Sequence, residues 1–189
     1  MLYQGAGMGK LFFTDFDSTL TNKNLEKEFL SYLFKKNNLS EFRLFLLNVL
    51  LHLGLKYIYK AIGKSHNFKY YYRGLTKSYL EKQVVTFVKD CSDIFLWNVS
   101  ILKEIDKEND RLVILTKCPH FICKNICETH LKRFKWKLYG SVLLVKDGEF
   151  TGQVKTKLTN KVKKKICEYE IEKGMHSGYP TIGYGDSSE

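Results

Sequence analysis

Apolar and polar positions along this chain alternate between two periods. Leu11, Phe12 and Phe13 form a short apolar run closed by Thr14 and Asp15, which predicts a buried strand. Leu25, Phe29, Leu30 and Leu33 then recur at spacings of three and four, with Lys27, Lys35 and Lys36 between them. That spacing predicts an amphipathic helix, broken at Asn37 and Asn38. Residues 41–62 are more apolar, but the uncharged run from Leu44 to Leu55 is only 12 residues long. A membrane-crossing helix needs about 20, so a buried bundle helix is expected there. Gly74, Leu75 and Thr76 read as the entry to another helix, with Thr76 as its N-cap. Ile94, Leu96, Trp97, Ile101, Leu102 and Ile105 predict a helix over 94–108. Arg111–Thr116 reads as a second buried strand, and Pro119 suits the first turn of the helix after it. Ser141–Val145 predicts a strand, and KDGEFTGQV a hairpin turning at Asp147–Gly148. An apolar helix through Val162 and Ile166 and a last strand in PTIGYGDSSE complete the chain.

Strands separated by helices predict an α/β fold. Residues 22–90 contain no strand pattern and read as an all-helical insert of three or four helices, a domain set between 8–21 and 91–189. The opening MLYQGAG reads as a tag remnant over 1–7.

The chain has 189 residues, of which 44% are hydrophobic and 14% aromatic, enough to bury a substantial core and to exclude a disordered chain. Thirty-one Lys and Arg against 20 Asp and Glu give a net charge of +11. Such an excess attracts nucleic acid, an anionic membrane or a phosphorylated substrate alike. Five cysteines without a regular framework are expected to be reduced thiols, which places the chain in the cytoplasm.

Candidate chemistry begins at Asp15 and Asp17. On extended chain the i, i+2 spacing points both carboxylates to one side. Crowded carboxylates share a proton or a cation, and a hard cation such as Mg2+ suits oxygen ligands. The plain alternative is a polar turn leading to a helix N-cap. A second cluster, Cys118, His120, Cys123, Cys127 and His130, has zinc-ligand chemistry, but it sits on one helix, and the spacing of Cys123 and Cys127 is also core-facing.

The full string DFDSTLT resembles the DxDxT motif of the haloacid dehalogenase (HAD) superfamily, subfamily IB, the branch that contains phosphoserine phosphatase. The resemblance runs through later segments. RLVILTKCP is similar to a strand ending in the family's phosphate-binding Ser or Thr, DGEFTG to its β-hairpin flap, and GYGDSS to its GDSxxD motif. It implies a Rossmann-like three-layer core with a parallel sheet, and a helical cap over 22–90. The second acidic position of the last motif would be residue 190, so the C-terminal part of the core is expected to be missing.

The same resemblance implies a Mg2+-dependent phosphatase acting on a small phosphomonoester through an aspartyl-phosphate. Asp15 would be the nucleophile and Asp17 the general acid/base, with Thr19 bracing the loop. Asp15, Asp17 and Asp186 would hold Mg2+. Ser18, Thr116 and a lysine would bind phosphate. Six lysines lie between 155 and 165; Lys161 is the expected one by position, with Lys157 as alternative. Glu26, Glu28, Arg43 and Arg73 are the candidates for contacting the rest of the substrate.

Two other partner classes carry weaker signals. Lys132, Arg133, Lys135 and Lys137 around Trp136 would suit a nucleic-acid backbone, but no nucleic-acid motif accompanies them, and no nucleic-acid partner is expected. Arg43, Lys56 and Lys60 beside the apolar 41–62 segment leave weak membrane-surface association open.

Overall fold

The structure, a computed structural model, describes residues 9–36, 71–91, 99–105, 109–175 and 180–184. Five strands, β1 (Leu11–Thr14), β2 (Arg111–Pro119), β3 (Lys135–Lys146), β4 (Glu149–Thr156) and β5 (Thr181–Tyr184), form one sheet in the order β4-β3-β2-β1-β5. β1, β2, β3 and β5 are parallel, and β4 returns antiparallel on β3. The described helices are α1 (Leu25–Lys35), α2 (Lys77–Asp90), α3 (Val99–Glu104), α4 (His120–His130) and α5 (Asn160–Met175).

All four residues of β1 are buried, because helices cover both faces of the sheet. The pleat sorts its side chains into two cores. Phe12, Leu112 and Ile114 pack with α1, α2 and α4 through Phe29, Leu33, Val84, Phe87, Ile122 and Ile126. Leu11, Phe13, Val113 and Leu115 face the other way, onto Leu158, Val162, Ile166 and Ile171 of the α5 segment. This is the three-layer α/β architecture expected, with a largely parallel sheet. Of the segment 22–90, expected to be an all-helical insert, the described helices α1 and α2 share the first core with the sheet. The middle of that segment, 37–70, and with it the expected 41–62 helix, lies outside the described residues. Among those residues, no helix is long and apolar enough to cross a membrane.

Several local expectations hold. Thr76 caps α2, its hydroxyl accepting the Tyr79 N–H at 3.2 Å. Asp147 and Gly148 form the two-residue hairpin turn with φ of 51° and 81°. Others shift. β2 does not stop at Thr116 but runs to Pro119 through an irregularity: Leu115 pairs with Tyr139, and the next paired residue, Pro119, faces Ser141. Four steps on β2 thus span two on β3, a bulge that lifts residues 116–118 out of the ladder. Pro119 is accordingly the N-cap of α4 rather than a residue of its first turn. The bulge brings Cys118 and His120 so close to β3 that a side chain at Gly140 would meet the His120 Cα at 2.9 Å. Of the helix expected over 94–108, Val99–Glu104 falls within the described residues.

Helix α5 is tied to β3 at both ends. At its start the Leu158 N–H reaches Ser141 Oγ at 3.4 Å, and Thr159 Oγ1 accepts the Val162 N–H at 3.3 Å. Near its end the buried Glu170 carboxylate accepts from Lys137 Nζ at 2.5 Å and from the Tyr139 hydroxyl. Burial alone would push the Glu170 carboxyl up. The Lys137 and Tyr139 donors outweigh it and hold the carboxyl below its ordinary value. A folded-state value below the unfolded one means that this carboxylate stabilises the fold above its ordinary range and stops doing so as acid protonates it. Glu170→Gln is therefore expected to flatten the acid limb of the stability profile below about pH 4.5, measured by urea unfolding from pH 3 to 7.

Candidate active site

The site forms where β1 and β2 end. In an open α/β sheet that carboxyl edge collects ligands, because the chain leaves the sheet there in loops that face a crevice. Thr14 pairs with Ile114, so Asp15 follows the last residue of β1 directly and Thr116 lies two residues beyond its partner on the neighbouring strand.

Phe16 is fully buried in the first core, and this plug leaves Asp15 and Asp17, its neighbours, only partly buried. Asp15 Oδ1 accepts the Phe16 N–H at 2.6 Å, and Asp15 Oδ2 accepts from the Lys163 ammonium. Both side chains of that ion pair are largely shielded, at 27% and 15% exposure, so water screens them less than it would a surface pair. Asp17 Oδ1 accepts the N–H of Leu25, the first residue of α1, at 2.9 Å. The turn-and-cap alternative is thus realised alongside the site geometry: the second carboxylate is oriented by the helix it caps.

The loop between them is tight. Leu20 and Thr21 both donate to the Phe16 carbonyl at 3.1 Å. Ser18 stands exposed with φ of 61°, the left-handed region that disfavours a side chain. Thr21, not Thr19, braces the turn, its hydroxyl donating to the Lys23 carbonyl at 2.9 Å. The Thr19 hydroxyl is buried and has no hydrogen-bond partner among the described residues. Thr116 sits in the bulge, fully buried, with Oγ1 accepting the Cys118 N–H at 3.1 Å. That bond leaves the hydroxyl proton to be donated elsewhere. Pro119 offers no side-chain cap to α4, so the first N–H groups of that helix point toward the same edge without one.

The structure brings Lys163 to Asp15, not Lys161 or Lys157. Lys161 and Lys157 are exposed, and Lys157 precedes the helix. Helical phase explains the difference. Val162, Ile166, Cys167 and Ile171 face the second core, and Lys163 falls within the arc they cover while Lys161 points away. The signal was present in the apolar stripe; counting residues from the flap overlooked it.

Of the substrate candidates, Glu26 turns inward. It is 5% exposed, on the first turn of α1. Its charge reaches Tyr72, Cys118 and Cys123, all three buried, and helps to keep their acidic groups protonated. Glu28 is half-buried and Arg73 exposed, whereas Arg43 and Asp186 lie outside the described residues. The zinc alternative finds no support among the described residues, where no group of three potential ligands converges. Cys118, Cys123 and Cys127 are core residues, and burial pushes all three thiols up. A cavity of about 360 Å³ lies at the other end of the sheet, lined by Leu11, Arg111, Trp136 and Lys173 among others, and does not serve these carboxylates.

The chain matches the haloacid dehalogenase-like hydrolase family over residues 12–189 and belongs to that family. Its fold is similar to that of a Bordetella pertussis Tohama I protein of unknown function, with a TM-score of 0.67 and 14% identity over 94% of this chain and 81% of that one. It is also similar to a phosphoserine phosphatase in apo form, with a TM-score of 0.58 and 19% identity over 95% and 78% of the two chains. A substrate-bound phosphoserine phosphatase complex gives a TM-score of 0.57 and 20% identity over 94% and 78%. No curated protein matches the chain in sequence.

The left-handed Ser18 is open to a direct test. Ser18→Gly removes the Cβ penalty and is expected to hold or raise stability, whereas Ser18→Val is expected to lower it by about 1–2 kcal/mol in urea unfolding.

Proposed function

We propose that this chain is a phosphatase that hydrolyses a small phosphomonoester through an aspartyl-phosphate on Asp15. The observation that carries this reading is the shielded pairing of Asp15 with Lys163 at the carboxyl edge of β1, with Asp17 held beside it by the start of α1. A carboxylate attacking a phosphate must overcome like-charge repulsion, and an ammonium already resting on that carboxylate offsets it. Thr116 would donate its hydroxyl proton to a phosphoryl oxygen, and exposed Ser18 lies on the loop over the same edge. An oxygen of Asp15 forms a bond to phosphorus as the bond to the substrate oxygen breaks. Asp17 gives that leaving oxygen its proton. Water then attacks the phosphorus, loses a proton to Asp17 and releases inorganic phosphate, which restores both carboxyl groups.

The donor set fits a hard cation. Asp15 and Asp17 offer oxygens, and the nearby Cys118 and Cys123 are buried thiols held protonated, poor competitors for a softer metal. Asp15, the Asp17 carbonyl and Asp186 would hold Mg2+, which when bound would supply positive charge to the phosphoryl group. Residues 22–90 would act as the cap, and Glu26, the inward-facing acid of α1, would contact a cationic or hydrogen-bonding group of the substrate. Glu28, Arg43 and Arg73 are the other cap contacts in this reading. Five free cysteines suit a reducing compartment, in keeping with a cytoplasmic location.

Two predictions test this. Hydrolysis of an aryl phosphate is expected to require Mg2+, to stop on chelation with EDTA, and to fall below about one-thousandth in Asp15→Asn with the far-UV circular dichroism unchanged. Full activity in that variant would sink the mechanism. Lys163→Ala is expected to lower kcat/KM by about 100-fold or more. Lys161→Ala is expected to stay within about twofold, because its side chain is directed to solvent.

A further inference from the structure

Lys163 and Glu170 lie seven residues apart on α5, two helical turns and about 10 Å, and so project from one face. Lys163 meets the end of β1 there, and Glu170 meets the start of β3. The two contacts bracket the packing of α5 on the sheet. Around them the helix touches the sheet through Val162, Ile166, Cys167 and Ile171, whose apolar contacts are non-directional and do not by themselves forbid a shift along the sheet. A buried carboxylate does not tolerate one. Glu170 is 8% exposed and receives two directional donors from β3, the Lys137 ammonium at 2.5 Å and the Tyr139 hydroxyl. Moving α5 by one residue would rotate Glu170 about 100° away from both, leaving a buried charge without them. Lys137 also lies 5.0 Å from the Tyr139 ring centroid and 6.0 Å from that of Tyr169, which limits its own freedom.

We infer that Glu170 is a positioning residue for the site: clamped by Lys137 and Tyr139, it sets the register and rotation of α5 and so delivers Lys163 to Asp15. This rests on the phosphatase reading only where activity is the readout. The carboxylate contributes no contact to Asp15 itself and acts through the helix, at the opposite end of the sheet from the reacting atoms.

The test is a double-mutant cycle in the full chain, paired with a measurement that needs no turnover. Glu170→Gln is expected to lower kcat/KM by about 10- to 100-fold in the native background, with KM little changed, and by less than about twofold when Lys163 is already Ala. Equal losses in both backgrounds would show a general structural effect and overturn the assignment. Separately, trace acetylation with acetic anhydride, read by mass spectrometry, compares Lys163 with Lys161 in the same sample. The ratio of Lys163 to Lys161 labelling is expected to rise several-fold in Glu170→Gln, and an unchanged ratio would overturn the assignment. If Glu170→Gln does not fold, Tyr139→Phe, which removes one donor alone, is taken through both measurements with the same criteria. A native chain inactive on aryl phosphate but showing the labelling change would reject the phosphatase reading and leave the positioning role standing.

Discussion

A carboxylate at the end of a strand that is buried on both faces has little water to stabilise it, and the rest of this structure follows from how that charge is met. Asp15 leaves β1 at the point where Phe12 and Phe13 have each been packed into a separate core. Water is partly excluded, so a cation brought to Asp15 interacts more strongly than it would at the surface. The protein supplies Lys163 from a helix that follows β1 by more than a hundred residues in the chain. Such a pairing exists only if α5 lies on the sheet in one register.

The two cores divide the labour. The first, rich in aromatic side chains, joins the sheet to α1, α2, α4 and the hairpin. Phe29 contacts Tyr72, Phe87 and Phe121, and Tyr72 and Phe121 in turn contact Phe150. The hairpin is also hydrogen-bonded to the segment that leads into α2: the Gly74 N–H donates to the Phe150 carbonyl and the Phe150 N–H to the Leu75 carbonyl, both at 2.9 Å. Helices α1 and α2 are therefore part of the packing that surrounds the Asp17 loop, while Asp17 accepts the first N–H of α1. The second core is smaller and mostly aliphatic, and it orients α5 in only one sense, toward the sheet. Polar contacts at either end of the helix complete what that core leaves free.

The bulge in β2 plays a comparable part on the neighbouring strand. A regular ladder would have carried Thr116 onward beside β3. Two additional residues on β2 instead release 116–118, and Gly140 makes room for the Cys118–His120 backbone that results. The threonine hydroxyl is held by a bond to the Cys118 N–H, in a position fixed by backbone rather than by side-chain neighbours.

Much of this was legible in the sequence. Contiguous apolar residues in LFF and LVIL marked strands buried on both faces, the three-and-four spacing marked α1, Thr76 marked a cap, and Asp–Gly marked a two-residue turn; each depends on forces acting within a few residues of chain. DFDSTLT, through its resemblance to a known family, located Asp15 and Asp17 as well. Long-range matters were not legible in the same way. Which of six lysines meets Asp15 depends on the rotational phase of α5 against the sheet, and that phase is set by Leu158, the aliphatic stripe and the Glu170 clamp acting together. The extension of β2 to Pro119 depends on a partner strand more than twenty residues later, and the inward turn of Glu26 on the core that α1 meets. Local pattern determined the elements and the acidic loop; tertiary packing decided which charges face each other, because the cost of burying a charge depends on every element around it.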